Sequence, residues 1–271
     1  MPELPEVETI RRGVEPYVIG RRIEAVVVRD ARLRWPVPKT LPAYATGKQI
    51  HGVTRRGKYL IFDLGGDRLI VHLGMSGRLN VLEHDAAPRK HDHVDLRLSG
   101  GIVLRFHDPR RFGAVLPWPA GHADHVLLRG MGPEPFSDAF SGDYLYKRSR
   151  RRSAPVKTFI MDGRIVVGVG NIYASEALFR AGIRPGRAAG RVSRAAYAAL
   201  AAAIRDVLSI AIEHGGTTLR DFAGARGEAG YFQQELMVYG RDGEPCRRCG
   251  TAIRRLVIGQ RSSFYCPHCQ P

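Results

Sequence analysis

Two groups of residues in this 271-residue chain have types and spacings that could do chemistry, and they lie at its opposite ends. The chain opens Met1-Pro2-Glu3-Leu4-Pro5-Glu6-Val7-Glu8, where a small residue behind the initiator favours trimming of Met1. Trimming leaves Pro2 with a free secondary amine. A free α-amino group titrates near pH ~8, so a useful fraction is neutral at physiological pH, and a secondary amine condenses with an aldehyde carbon to an iminium. Glu3 and Glu6 are close enough in sequence to flank Pro2 as a general acid/base pair. The same residues also read as a plain helix start, with Pro5 at the first helical position and Glu6 and Glu8 complementing the dipole. Both readings stand on these residues alone.

At the other end, all four cysteines occur in two pairs, Cys246-Arg247-Arg248-Cys249 and Cys266-Pro267-His268-Cys269. That spacing predicts one zinc ion held by four thiolates rather than disulfides, since no secretory signal opens the chain. Four protein ligands leave no open position for water, so such a zinc is structural. Between the pairs, residues 254–259 and 262–265 read as a hairpin with Gln260 and Arg261 near its tip. Zinc on four thiolates adds a charge of −2 to this arginine-rich segment and leaves it cationic.

Composition narrows the partner. Forty-two Lys+Arg against 26 Asp+Glu give a net charge of +16, which points to a polyanion bound with release of counterions. Nucleic acid leads. An anionic membrane also fits the charge, but no apolar run approaches ~18 residues and no signal peptide is evident, so a cytoplasmic protein is expected. The length allows two domains and a small appendage.

The elements that must position these groups follow in order. Val7, Ile10, Val14 and Tyr17 recur at helical spacing, in a helix bent or ended near Pro16 and closed by Gly20. Residues 21–30, 49–53, 59–64, 68–73, 94–98, 102–106 and 114–118 read as strands of an antiparallel sandwich or barrel. Three of its loops carry unusual residues. Lys58 sits in a basic turn and is either a solvated charge or a group reaching phosphate or the active centre. Met75 in one glycine-flanked loop, with Arg110 and Phe112 in another, either plugs the core or forms the wedge that unstacks a duplex. His84, His91 and His93 with Asp85, Asp92 and Asp95 resemble a metal cluster, but the alternation of Val94, Leu96 and Leu98 explains them as a strand's polar face. Residues 131–152 read as a linker that ends in a basic run containing Arg150. A helix capped at Ser153 follows, then a Gly-rich turn delivering Asn171 to a helix N-terminus, as a phosphate site or a simple cap. A long Ala-rich helix covers 193–214, and 217–234 read as a mobile loop. The expected division is 1–130, a linker at 131–152, 153–235 and 236–271.

The segments MPELPEVE, RRGKYL, HLGMSG, DPRRFG, VVGVGNIYASEALF, ELMVYGR and CxxC…RSSFYCPHC run nearly end to end, and together they resemble the bacterial formamidopyrimidine-DNA glycosylases. The resemblance implies a multidomain α+β fold: an N-terminal antiparallel β-sandwich with flanking helices, a helix-two-turns-helix domain and a zinc-ribbon hairpin. Double-stranded DNA containing oxidised purines would lie in the cleft between domains of a monomer in the bacterial cytoplasm, associated with the nucleoid.

By the same resemblance, Pro2 is the nucleophile at sugar C1′ after base flipping, Glu3 assists ring opening, and Lys58 contacts phosphate and assists the lesion end. Met75, Arg110 and Phe112 fill the vacated stack, with Arg110 facing the orphaned cytosine. His72, Asn171, Tyr239 and Arg261 clamp phosphates, with Arg261 counted in the catalytic set. Lys157, His91 and Arg150 complete the DNA-binding residues, and 217–234 covers the lesion. Successive β- and δ-eliminations would then cut the strand without a metal. Two alternatives remain: a related glycosylase for oxidised pyrimidines, or a zinc-ribbon DNA-binding protein without catalysis. The Leu4-Pro5 opening and the Met75/Arg110/Phe112 set favour the purine enzyme.

Overall fold

The computed structural model describes residues 2–84, 86–122, 124–216 and 235–271. The expected loop at 217–234 lies outside the described residues, as does Asp85. The chain forms two compact units, the first built on residues up to Arg129 and the second on Gly130 to Glu213 with the C-terminal residues.

In the first unit, helix α1 spans Leu4–Val18 and begins earlier than the apolar spacing alone suggests. Its N-cap is Glu3, with Pro5 in the first turn, where a missing N–H costs nothing. Pro16 lies near the helix end, so the chain stays helical through Val18. Leu4, Val7, Ile10, Val14 and Val18 have no exposed surface and form one stripe on the core.

Two four-stranded antiparallel sheets follow, as the alternation predicts. One has the order β1 (Ile23–Val28), β6 (Asp92–Leu98), β7 (Val103–His107), β5 (Arg78–Leu82). The other runs β2 (Gly52–Arg56), β3 (Tyr59–Asp63), β4 (Arg68–His72), β8 (Ala114–Trp118). Leu60, Phe62 and Val71 of one sheet share a core with Leu96, Leu104 and Phe106 of the other. The strand expected at 49–53 is displaced. Gln49 makes only an isolated bridge to Arg22, and regular pairing starts at Gly52 because the Gly57 turn sets the register. Strand β5 and the short helix α2 (Leu41–Ala45) are additions to the expected list.

The histidine and aspartate cluster is structural. Arg105 stands opposite Asp95 in the ladder and grips it with Nε and Nη2, both at 2.8 Å, while Arg29 adds a 2.6 Å contact. Asp92 accepts from His107 Nδ1 at 2.8 Å. Burial would raise the Asp95 carboxyl, but the hydrogen bonds and charges of Arg105 and Arg29 outweigh it and hold it below the usual carboxylate range.

The second unit overturns the linker at 131–152. Helix α3 (Gly142–Ser149) occupies it, capped by Ser141 Oγ accepting from the Tyr144 N–H at 3.1 Å. Phe140 and Leu145 are fully buried, and Arg205 Nε donates to the Pro135 carbonyl at 2.9 Å. A segment this well packed belongs to the unit; its scattered apolar residues were too few to show periodicity. Helix α4 (Val156–Met161) is capped by Pro155 rather than Ser153, and α5 (Asn171–Arg180) by Gly170, which makes Asn171 the first helical residue. The α6 helix, Arg194–Glu213, reaches a mean hydropathy of 1.6 over 18 residues, enough by composition to cross a membrane. Such a score is also that of a core helix, and here Tyr197, Leu200, Ile204, Val207 and Leu208 are buried inside the unit. The ribbon hairpin pairs β9 (Arg254–Ile258) with β10 (Arg261–Tyr265).

Replacing Arg105 with Met should cost about 2–3 kcal/mol, because a buried carboxylate loses two of its three guanidinium contacts and keeps only Arg29. Both tryptophans, Trp35 and Trp118, lie in the first unit, so their fluorescence reports its unfolding. Asp95 has a depressed folded pKa, so its stabilisation is present above the unfolded value of ~3.9 and is lost as pH falls through the lowered one. The difference between wild type and R105M in denaturant titrations should therefore shrink in acid.

Candidate active site and nucleic-acid interface

The N-terminal carboxylates are arranged by helix capping. The Glu3 N–H donates to Glu6 Oε2 at 2.8 Å, and the Glu3 carboxylate accepts from the Glu6 N–H, a reciprocal capping box. Pro2 is buried, and Glu3 and Glu6 are 3% and 2% exposed. The expected acid/base pair therefore divides: Glu6 fixes the backbone of Glu3, and so the direction in which Pro2 enters the helix.

Lys58 is presented by the β2–β3 hairpin, where Gly57 takes φ +56° between paired Arg56 and Tyr59. A positive φ at the first central position matches the twist of the flanking strands. His72, at the end of β4, stacks on Tyr59 at 4.7 Å and accepts the Gly74 N–H on Nδ1 at 3.2 Å. Burial first, then the charges of Lys58 and Arg34, lower its pKa to about 4, so the imidazole is neutral at pH 7 with its proton on Nε2.

The Met75 loop and the loop of Arg110 and Phe112 are tied by Asp108, which has no exposed surface. Its carboxylate accepts from Ser76 Oγ at 2.8 Å in the Met75 loop, and from the Gly113 N–H at 2.8 Å and the Arg110 N–H at 3.3 Å in its own. The backbones touch: a side chain at Gly74, φ +64°, would overlap Phe112, and one at Gly113 would meet the His72 carbonyl at 2.6 Å. Phe112 is 38% exposed with the Arg110 guanidinium 5.1 Å from its ring centre, and Met75 is half-buried. Phe112 is thus no core plug. His91 adopts φ +76°, beside the rings of His93 and His107.

In the second unit Lys157 is 1% exposed, and its Nζ donates to Asn171 Oδ1 at 2.6 Å, Ser263 Oγ at 2.7 Å and the Ser262 carbonyl at 3.2 Å. Asn171 Nδ2 in turn donates to the Ser262 carbonyl at 3.1 Å and lies 3.4 Å from the Tyr239 hydroxyl. One ammonium therefore joins α4, α5 and β10, and Asn171 and Tyr239 meet beside the strand that begins at exposed Arg261. The Arg150 guanidinium is held by the Val192 carbonyl at 2.9 Å and the Tyr146 carbonyl at 3.0 Å and stacks on Tyr146. Its side chain is committed inside the unit.

Sequence reasoning missed Glu176. This 2%-exposed carboxylate accepts the N–H groups of Val238 and Tyr239 on Oε1 at 3.0 and 2.8 Å, and that of Met237 on Oε2 at 2.9 Å. Burial pushes its carboxyl above the usual range against those donors. The signal was a lone acid flanked by Ala174, Ala177 and Leu178 in the helix Asn171–Arg180.

The four cysteines suit zinc. Their Sγ atoms all lie within 4.8 Å of one another, with Cys246–Cys269 at 4.0 Å and Cys249–Cys266 at 3.5 Å. A zinc tetrahedron with Zn–S of ~2.3 Å has edges of ~3.8 Å. The Arg248 and Cys269 N–H groups point at Cys246 and Cys266 Sγ at 3.4 Å, as expected for thiolates held by a metal. The site is structural: Phe179, Val238, Ile253 and Phe264 pack around it and no ligand position is left open.

Family models for the formamidopyrimidine-DNA glycosylase N-terminal domain, its H2TH domain and the zinc finger found in FPG and IleRS match residues 1–115, 131–223 and 243–271. Formamidopyrimidine-DNA glycosylases of Syntrophotalea carbinolica and Hahella chejuensis are 61% and 59% identical over 271 and 270 residues, covering 100% of each chain. The MutM (Fpg) structure of Thermus thermophilus superposes with a TM-score of 0.89 at 41% identity, covering 99% of this chain and 98% of its own. Lactococcus lactis Fpg bound to abasic-site DNA gives 0.90 at 35% identity, covering 99% of both. The chain belongs to the formamidopyrimidine-DNA glycosylase family.

Two outcomes test the interface. Chelating the zinc should abolish binding to a lesion-containing duplex while leaving the tryptophan-reported unfolding of the first unit in place; joint collapse would refute independent units. In anisotropy titrations at several salt concentrations, Arg261→Gln should lower the slope of log K against log salt by ~0.9, whereas His72→Gln should leave it unchanged because a neutral group releases no counterion.

Proposed function

We propose that this protein excises oxidised purines from duplex DNA and then cleaves the strand as a lyase, the base-excision repair activity of its family. The carrying observation is end-to-end identity of about 60% with proteins named for formamidopyrimidine release, together with the buried, capped Pro2-Glu3 start.

With Met1 removed, the Pro2 nitrogen attacks C1′ of the flipped nucleotide, the bond to the base breaks and the base leaves with the electron pair. Loss of the amine proton and opening of the sugar give an iminium, with Glu3 delivering a proton to the ring oxygen. The iminium acidifies the neighbouring C2′ proton. Its removal expels the 3′ phosphate and a second elimination expels the 5′ phosphate, so neither cut needs water activation. Lys58 neutralises phosphate at this end. Met75, Arg110 and Phe112 occupy the vacated stack, and His72, Asn171, Tyr239 and Arg261 hold the backbone. Lys157 acts by placing Asn171, since its own protons are taken. Zinc supplies ribbon geometry and no step of the reaction.

The lesion range extends past purines on one observation: Lactococcus lactis Fpg, 35% identical, has been solved with DNA containing an oxidised pyrimidine. Its bacterial relatives support a cytoplasmic location, and the reading includes association with the nucleoid, which the charge of +16 favours. Binding is expected as one monomer per lesion.

Borohydride reduction in the presence of a duplex containing 8-oxoguanine tests the reading. A covalent adduct mapped to residue 2 is expected, and Glu3→Gln should slow its formation about 100-fold or more. Absence of an adduct in a protein whose mass shows Met1 removed would refute the mechanism.

A further inference from the structure

The proposed chemistry needs Lys58 held in register with Pro2, yet the two lie on different elements: Pro2 precedes α1, and Lys58 is in the β2–β3 turn. One carboxylate bridges them. Glu8, in the first half of α1, has a side chain 12% exposed, and its Oε2 receives Arg55 Nε at 3.1 Å. The Arg55 side chain is 11% exposed, and its Nη1 donates to the Gly57 carbonyl at 3.0 Å, inside the turn that presents Lys58. The guanidinium held by the nucleophile's helix therefore also closes the turn of the lysine. Oε1 of Glu8 is occupied separately by Arg11 and Arg12 Nε, each at 3.0 Å, and Arg11 Nη1 adds a contact to the Val53 carbonyl of β2 at 3.3 Å.

The bland account is a surface ion cluster. It covers Arg11 and Arg12, which are ordinary i+3 and i+4 partners of Glu8 worth a few tenths of a kcal/mol. It does not cover Arg55, which is 47 residues distant, mostly buried, and has a second, backbone acceptor. Burial would raise the Glu8 carboxyl, but the arginines around it outweigh burial and keep it ionised.

We propose that Glu8 and Arg55 are positioning residues that transmit the placement of the Pro2-bearing helix to the Lys58 turn. The inference rests on the assignment of Lys58 above. It is tested by single-turnover borohydride trapping on a lesion-containing duplex at saturating enzyme, with E8Q, R55M, R55K, K58A and the doubles E8Q/K58A and R55M/K58A. Rates are corrected for the folded fraction from tryptophan-monitored unfolding. E8Q and R55M should each slow trapping about 10-fold while DNA affinity changes less than about twofold, because a small misplacement acts on the reaction rather than on binding. R55K, which keeps the charge without the fork, should recover only part of the rate. In the K58A background neither change should slow trapping further, since the pair acts through that lysine.

Wild-type rates for E8Q and R55M beside a defective K58A would overturn the pair alone. So would full multiplication of the defects in the doubles. K58A at the wild-type rate would refute the Lys58 assignment and the pair's role with it, while a wild type that forms no adduct would refute the glycosylase reading itself.

Discussion

The chemistry of this protein depends on how its first helix begins. An α-helix leaves its first N–H groups unsatisfied, and a start buried against a core must satisfy them from within the protein. Here Glu3 and Glu6 do so for each other, and that exchange holds Glu3 extended, with φ −99° and ψ −171°, and so directs Pro2. A proline nucleophile on a frayed terminus would sample many orientations; on a buried capping box it has few. The stripe from Leu4 to Val18 then anchors the box to the sandwich. On the proposed mechanism, catalytic placement and core packing are therefore one arrangement, and the plain helix-start reading of MPELPEVE is the means by which the chemical one would work.

The net charge of +16 gives a false impression of how many cations face DNA. Arg29 and Arg105 balance Asp95, Arg205 takes backbone carbonyls of the 135–140 segment, and Arg150 is tied to Tyr146 and Val192. Lys157 is buried among acceptors. Arg110 and Arg261, by contrast, are exposed at loop tips where a phosphate or an unpaired base can be met. A uniformly solvated basic surface would bind any polyanion. Cations used internally instead brace the elements that carry the exposed ones, and it is such placed phosphate contacts that set a protein's register on a duplex.

Much of this was legible from residue patterns. Runs of β-branched and apolar residues between glycine-marked turns located six of the eight sandwich strands to within two residues, because strands packed on a core are rich in such residues whichever face they bury. The cysteine spacing specified its metal outright. Helix α3 was illegible since its apolar residues are sparse and its stability comes from Arg205 and α6, which no local window contains. The roles of Lys157 and Glu176 escaped for a related reason. A lysine at helix spacing looks solvated, and only tertiary structure shows that Ser263, 106 residues away, accepts its proton. Phe112 went the opposite way: hydrophobicity argued for the core, while the crowding of Gly74 and Gly113 against its loop forces the ring outward.

Those two buried groups also explain what zinc can contribute. Glu176 gathers the N–H groups of Met237, Val238 and Tyr239 just before the ribbon, and Lys157 gathers acceptors from Ser262 and Ser263 within it. A carboxyl group and an ammonium thus hold the start of the ribbon to α5 and its second strand to α4 through opposite backbone polarities. Lys157 keeps its acceptors only while β10 stays in place, and the four thiolates close the ribbon that carries this strand. Removing the metal would leave the buried Lys157 ammonium with displaced acceptors, a cost far above that of losing a surface contact. Asn171 and Tyr239 are then placed by the metal at second hand, through Lys157 and Glu176, and on the proposed reading a structural ion some distance from any reacting atom becomes a condition of binding DNA.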